Sequence, residues 1–270
     1  MKNAILISVL LAVTAWGQDA PADRVTVPFS DASRPRMLKA SLLNGSITVK
    51  GYEGKDVIIE ARSRGSEGRR NVPKKAEGMH RIDAGSYGLT AEEQDNVVRV
   101  STSPGHGDVD LVIQVPVATS LQLRAVNGGS INVERVGGEI DVDNVNGPVK
   151  LINVSGVVVA HALNGEVQVV LDQIQSGKAM SFSSLNGDID VTLPADAKAR
   201  VKMKSDHGDV FSDFDIKLEA TPGSVLEEGT KGKGKYRVRL DKTVSGTING
   251  GGPDMQFTTL NGRIFIRKKK

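Results

Sequence analysis

The amino-acid sequence predicts an all-β chain, a single-domain β-solenoid of short stacked strands joined by Asn-Gly turns. An antiparallel β-meander of the same strands is the alternative. Three observations carry this. The 270 residues include 30 glycines, well above the ~7% of an ordinary protein. Short runs of alternating Val, Ile and Leu recur along the chain, the mark of strands with one buried face. Runs and glycines also keep a fixed phase: an apolar residue, Asn-Gly or a close variant, one variable residue, then apolar-x-apolar.

The elements follow in chain order. Residues 1–17, MKNAILISVLLAVTAWG, place Lys2 before a short apolar run and end on small residues. This is the pattern of a cleaved signal peptide, and the run is too short to span a bilayer. The expected domains are therefore 1–17, a signal peptide, and 18–270, the strand-repeat domain. Arg24–Phe29 alternates as a first strand, and Leu43-Asn44-Gly45 leads into Ile47 and Val49. Residues 62–81, rich in Gly, Arg and Lys, interrupt the pattern and read as an exposed basic loop insertion. Thr90–Asn96 is mildly helix-like. Gly105-His106-Gly107 precedes Val109 and Leu111.

The densest block runs from Leu123 to Leu171. Units begin at Val126, Val136, Val145, Val154 and Leu163, at intervals of 10, 9, 9 and 9 residues. Leu185-Asn186-Gly187 and Asp206-His207-Gly208 follow at intervals of 22 and 21 residues from Asn164. A second Gly/Lys-rich insertion covers 222–235. Val244-Ser245-Gly246 and Leu260-Asn261-Gly262 restart the phrase, and Arg267–Lys270 forms a basic tail. Asn and Gly accept the positive φ of a tight turn, and β-branched residues suit a pleated surface.

Both architectures can use this repeat. In a meander each Asn-Gly is a hairpin turn. In a solenoid nine residues make half a rung, and 18 to 22 complete one. A stacked coil demands the same phase in every unit, because equivalent positions lie above one another, whereas a meander has no such requirement. Stacking also predicts that each unit's apolar residues fill a narrow core and that the asparagines form ladders along the axis.

The chemistry-bearing residues are sparse. No cysteine is present, which excludes disulfides, thiolate nucleophiles and cysteine-ligated metals. The balance of 35 basic and 32 acidic residues gives no reason to expect nucleic acid. Asp108 with Asp110, Asp141 with Asp143, Asp188 with Asp190, and Asp209 could form an acidic stripe, since residues two apart on a strand share a face. Such a stripe would serve a calcium-binding β-roll or a polysaccharide-active β-helix enzyme using Asp108, Asp188 and Asp209. The acidic position changes to Ser46, Ser130, Pro148, Glu166 or Arg263 in other units, so solvated outward charge is the expectation. His106 and His207 occupy turn positions where other units place Asn; His80 and His161 complete the set. The tyrosines and phenylalanines are scattered. No catalytic, cofactor or metal residue is assigned.

The signal-like segment, the repeated phrase, LNGDIDVTLP (Leu185–Pro194) and TLNGRIFI (Thr259–Ile266) resemble the bacterial adhesin-like, toast-rack family of strand-repeat proteins, over roughly Val25 to Arg267. The resemblance implies a β-solenoid in the cell envelope with no catalytic residues. The expected role is an exported, non-enzymatic adhesin or scaffold module, periplasmic, surface-associated or secreted. Its expected partner is an envelope protein or polysaccharide, and it has no transmembrane segment once the signal is removed.

Overall fold

The computed structural model describes residues 23–63, 88–102, 108–175, 177–219, 225–228, 237–240 and 243–270. The signal segment 1–17, most of the 62–81 insertion, His80 and His106 lie outside the described residues.

The described chain is all β. Each repeat phrase supplies one strand before its Asn-Gly corner and one after it. In chain order, β1 (Asp23–Val27) leads to β2 (Arg36–Asn44) and β3 (Ile47–Tyr52), the first such pair. β4 (Val57–Ser63) and β5 (Leu89–Gln94) follow. β6 (Val97–Thr102) and β7 (Val109–Pro116) form the second pair, then β8 (Thr119–Asn127) and β9 (Ile131–Glu134) the third. β10 (Gly137–Asn146) turns into β11 (Val149–Asn164), which crosses a corner itself and continues into β12 (Val167–Ile174). β13 (Met180–Asn186) with β14 (Ile189–Leu193), and β15 (Ala199–Ser205) with β16 (Val210–Ser212), complete the run. β17 (Ile216–Leu218), β18 (Val225–Glu228), β19 (Arg237–Leu240) and β20 (Val244–Ile248) precede the last pair, β21 (Asp254–Asn261) and β22 (Ile264–Lys268).

The pairs stack in parallel, as a solenoid does. One face runs β6–β2–β8–β10–β11–β13–β21–β15. The other runs β7–β3–β9–β11–β12–β14–β22–β16. This register rules out the meander. Apart from the separate β18–β19 pair, antiparallel strands among the described residues lie at the ends of the stack: β5 on β6, β4 and β1 beyond β7, and β20 with β17 beyond β15.

Space and sequence disagree at both ends. The first pair (β2/β3) is slotted between the second (β6/β7) and third (β8/β9). The last (β21/β22) is slotted between β13/β14 and β15/β16. Each exchange coincides with an insertion, and alternation alone cannot reveal it, because every rung offers the same apolar faces. Of the 222–235 insertion, the described residues 225–228 form β18, which pairs antiparallel with β19. The Val244 phrase forms an antiparallel end strand rather than a rung. Thr90–Asn96 is β5 and the hairpin turn after it, with positive φ at Asp95 and Asn96; alternation overrides its weak helical propensity.

The core lies between the two faces and is filled by the inward half of each strand, from Leu38 and Ile47 to Phe257 and Ile266. Phe182 and Phe257, on adjacent rungs, stack at 5.1 Å between centroids. One expectation reverses here. The apolar residue before each Asn does not enter the core. Leu43, Val126, Val145, Leu163, Leu185 and Leu260 face outward as a stacked aliphatic row, with Leu43 58% exposed. The residue one step earlier faces inward, and at Asn144, Ser184, Thr259 and Ser205 it donates to a corner carbonyl of the neighbouring rung, of Gly129, Gly165, Gly187 and Gly262 respectively.

The asparagine ladder forms as expected. Asn127 donates to Asn44 at 3.1 Å, Asn164 to Asn146 at 2.9 Å, Asn186 to Asn164 at 2.8 Å and Asn261 to Asn186 at 2.7 Å. Its reason is not turn geometry, because none of these asparagines has positive φ. The glycines that follow divide: Gly45, Gly128 and Gly147 have positive φ, as the turn reading expects, whereas Gly165, Gly187 and Gly262 do not. The latter three are glycine because a Cβ would fall within 3.0 Å of the neighbouring corner's carbonyl.

Candidate functional site

The sequence-predicted acidic residues are dispersed. Asp141 and Asp143 point outward on β10, on the opposite face of the stack from Asp188 and Asp190 on the β14 side. Asp110 accepts from the Ser46 amide at 2.8 Å and so secures a neighbouring corner. Asp108, beside β7, lies five rungs from Asp188, roughly 24 Å at the usual strand spacing. Asp209 is separated from Asp188 by Arg263, since β22 lies between β14 and β16. The three aspartates of the enzyme alternative therefore do not converge. Among the described residues no group of three or more His, Asp or Glu could hold a metal ion. His161 shares a 2.8 Å hydrogen bond with Ser183. His207 follows Asn261 in the ladder column, as its place in the repeat predicts, and its amide donates to Leu260.

A different cluster does assemble, on the outer surface where β14, β22 and β16 lie side by side. Alternation buries Ile189, Val191, Ile264 and Ile266 and turns their neighbours outward. The outward residues form a three-by-three array. Across β14 it reads Asp188, Asp190, Thr192; across β22, Arg263, Phe265, Arg267; across β16 and its flanks, Asp209, Phe211, Asp213. Phe265 and Phe211 stack at 5.3 Å with 13° between planes. The Arg263 and Arg267 guanidinium carbons lie 5.4 and 5.1 Å from the Phe265 centroid, within cation–π range.

The arginines are held from the other side as well. Arg263 donates to Asp188 through Nη2 at 2.6 Å, Nε at 3.1 Å and its backbone amide at 2.7 Å. Arg267 Nε lies 2.9 Å from both Asp190 oxygens. The Arg263 side-chain hydrogen bond holds the Asp188 carboxyl below the ordinary aspartate value, and Asp188 in turn raises Arg263. A carboxylate so held is a poor general acid at neutral pH.

This pairing has a pH signature. A depressed carboxyl stabilises the fold fully above its unfolded value and loses that contribution as pH falls through the folded one. Asp188→Asn should cost about 0.5–1 kcal/mol at pH 7, a modest figure because Arg263 is 58% exposed. In urea titrations the gap between variant and parent should close as the solution is acidified. A gap that persists or widens in acid would refute the assignment.

Sequence reasoning missed this array because its aromatic pair is 54 residues apart in the chain and meets only through the exchanged last rung. The available signal was the alternation of TLNGRIFI, which puts Phe265 outward beside inward Ile264 and Ile266. Elsewhere, a groove of about 730 Å³ at the return corners is lined by Pro194, Lys198, Arg200, Gly252 and Asp254 among others. Its Arg200 and Asp254 bond each other at 2.7 Å.

No curated protein sequence matches the chain. Among solved structures, a "putative cell adhesion protein" from Clostridium sporogenes is 12% identical, with a TM-score of 0.47, over 92% of this chain and 99% of its own. A "putative adhesin" from Bacteroides fragilis is 11% identical, with a TM-score of 0.36, over 93% of this chain and 98% of its own. The family Toastrack DUF4097 matches residues 25–249. That span stops short of β21 and β22, which the structure nevertheless seats inside the stack. With most of its length matched, the chain belongs to the Toastrack DUF4097 family.

Proposed function

We propose that the chain is an exported, non-enzymatic module of the cell envelope that presents a rigid solenoid surface for adhesion or scaffolding. The supporting observation is the disposition of its carboxylates. Asp188 and Asp190 are tied to arginines, Asp110 to a backbone amide, and Asp108 stands apart from both. The in-register stack offers long, regular outer faces, which suit binding to an extended partner. The partner expected is an envelope protein or polysaccharide.

Fractionation of cells expressing the full chain tests the location: the protein is expected in periplasm, outer membrane or medium. Co-sedimentation of the purified protein with an envelope fraction, without release of sugar fragments from it, tests the role. Cytoplasmic retention, or turnover of envelope polysaccharide, would overturn the reading.

A further inference from the structure

We propose that the Phe211–Phe265 array binds an uncharged pyranose ring of an envelope glycan, a ligand assignment that rests on the envelope reading above. Phe211 is 48% exposed and sits on the outermost described strand of its face, since β16 pairs only with β22. The two-ring stack therefore ends on an open aromatic face. Leaving such a ring in water forgoes the stabilisation of burying a large apolar side chain. A pyranose with equatorial hydroxyls presents a flat patch of C–H groups of matching shape, edged by hydroxyls.

The rim supplies partners for those hydroxyls. Asp209 and Asp213 flank Phe211 along the chain, each about 7 Å away at the rise of a strand, and both are exposed. Ionised carboxylates accept strongly from hydroxyl groups. Charge decides the ligand class. Arg263 and Arg267 are already engaged by Asp188 and Asp190, so the groups flanking Phe211 along its own strand are the carboxylates Asp209 and Asp213, the latter also accepting from the Lys268 amide at 3.3 Å. A uronate, sulfated sugar or phosphate backbone would meet repulsion there. An uncharged sugar escapes that penalty.

The test is a calorimetric or NMR titration of the purified full chain with cellohexaose, chitohexaose and mannohexaose, with hexagalacturonate as the charged comparison. At least one neutral hexamer should bind saturably. Phe211→Ala should weaken that binding about tenfold or more, as expected for loss of a stacking ring. Phe211→Trp should keep it, and paired Asp209→Asn and Asp213→Asn should weaken it. The exposure of Phe211 leaves the fold intact in these variants, which thermal melting checks. Failure of all three neutral sugars, wild-type binding by Phe211→Ala, or equal binding of hexagalacturonate would overturn the proposal. So would self-association abolished by Phe211→Ala without sugar binding, which would assign the face to a second copy. If Phe211→Ala still co-sediments with envelope like wild type, the sugar site fails while the envelope role stands. Cytoplasmic retention with intact sugar binding would show the converse.

Discussion

Gly187→Ala should destabilise the protein by about 3 kcal/mol or more, although it adds one methyl group to a surface corner. The backbone conformation at Gly187 is not left-handed, so the cost does not come from φ. It comes from the stack: an added Cβ would strike the Gly165 carbonyl carbon and oxygen, backbone atoms that no rotamer change can move aside. Relief requires the two corners to separate. Three interactions span the same junction: the Gly165 amide on Asn186 (3.1 Å), the Val167 amide on Asp188 (3.0 Å) and the Ser184 hydroxyl on Gly165 (2.9 Å). Opening the corner weakens all of them together, and buried corner carbonyls left without donors are costly.

Gly128 is the control. Its φ of +67° is left-handed, yet an added Cβ meets nothing within 4 Å. Gly128→Ala should therefore cost only the conformational penalty, about 1–2 kcal/mol. Urea unfolding of both variants decides the matter. If Gly187→Ala costs less than Gly128→Ala, close corner stacking is not what requires glycine in the repeat.

That contrast marks how far the sequence could be read. Alternation and the constant phase of the Asn-Gly phrase were enough to predict parallel stacked strands, rungs of 18 to 22 residues and an axial amide ladder. Each is a property of one repeat multiplied by stacking. The reasons assigned to individual residues were less secure. The ladder asparagines, and the glycines at 165, 187 and 262, answer to their neighbours in the stack rather than to turn geometry, and the Leu or Val before each Asn faces water. A strand's period of two fixes which residues share a face but leaves open which face is inside. The exchanged rungs at the two ends were invisible for a related reason. Every rung presents the same apolar surface to the next, and only the insertions allow the chain to skip a place. The aromatic array depends on one of those exchanges, so it stayed hidden with it.

The same exchange makes Phe257→Ala the most damaging core substitution expected at the far end. Phe257 is fully buried and stacked on Phe182. Truncating a buried Phe to Ala typically costs about 3–5 kcal/mol, through lost burial and the cavity left behind, and the loss should not stay local. In a stacked array each rung is stabilised chiefly by its neighbours. β15 and β16 reach the rest of the stack only through β21 and β22 among the described strands, apart from the antiparallel end strands on β15. A weakened last rung thus releases the penultimate one as well. Amide exchange in Phe257→Ala should show early loss of protection across 199–205, 210–212 and 254–268, while β8 to β12 retain theirs. Uniform loss along the chain would indicate a single cooperative unit and refute the nearest-neighbour account. Because Phe211 and Phe265 ride on those rungs, the substitution should also loosen the outer array it never touches. A core residue inside the stack would then govern a binding face on its surface, through no connection except the order in which the rungs are packed.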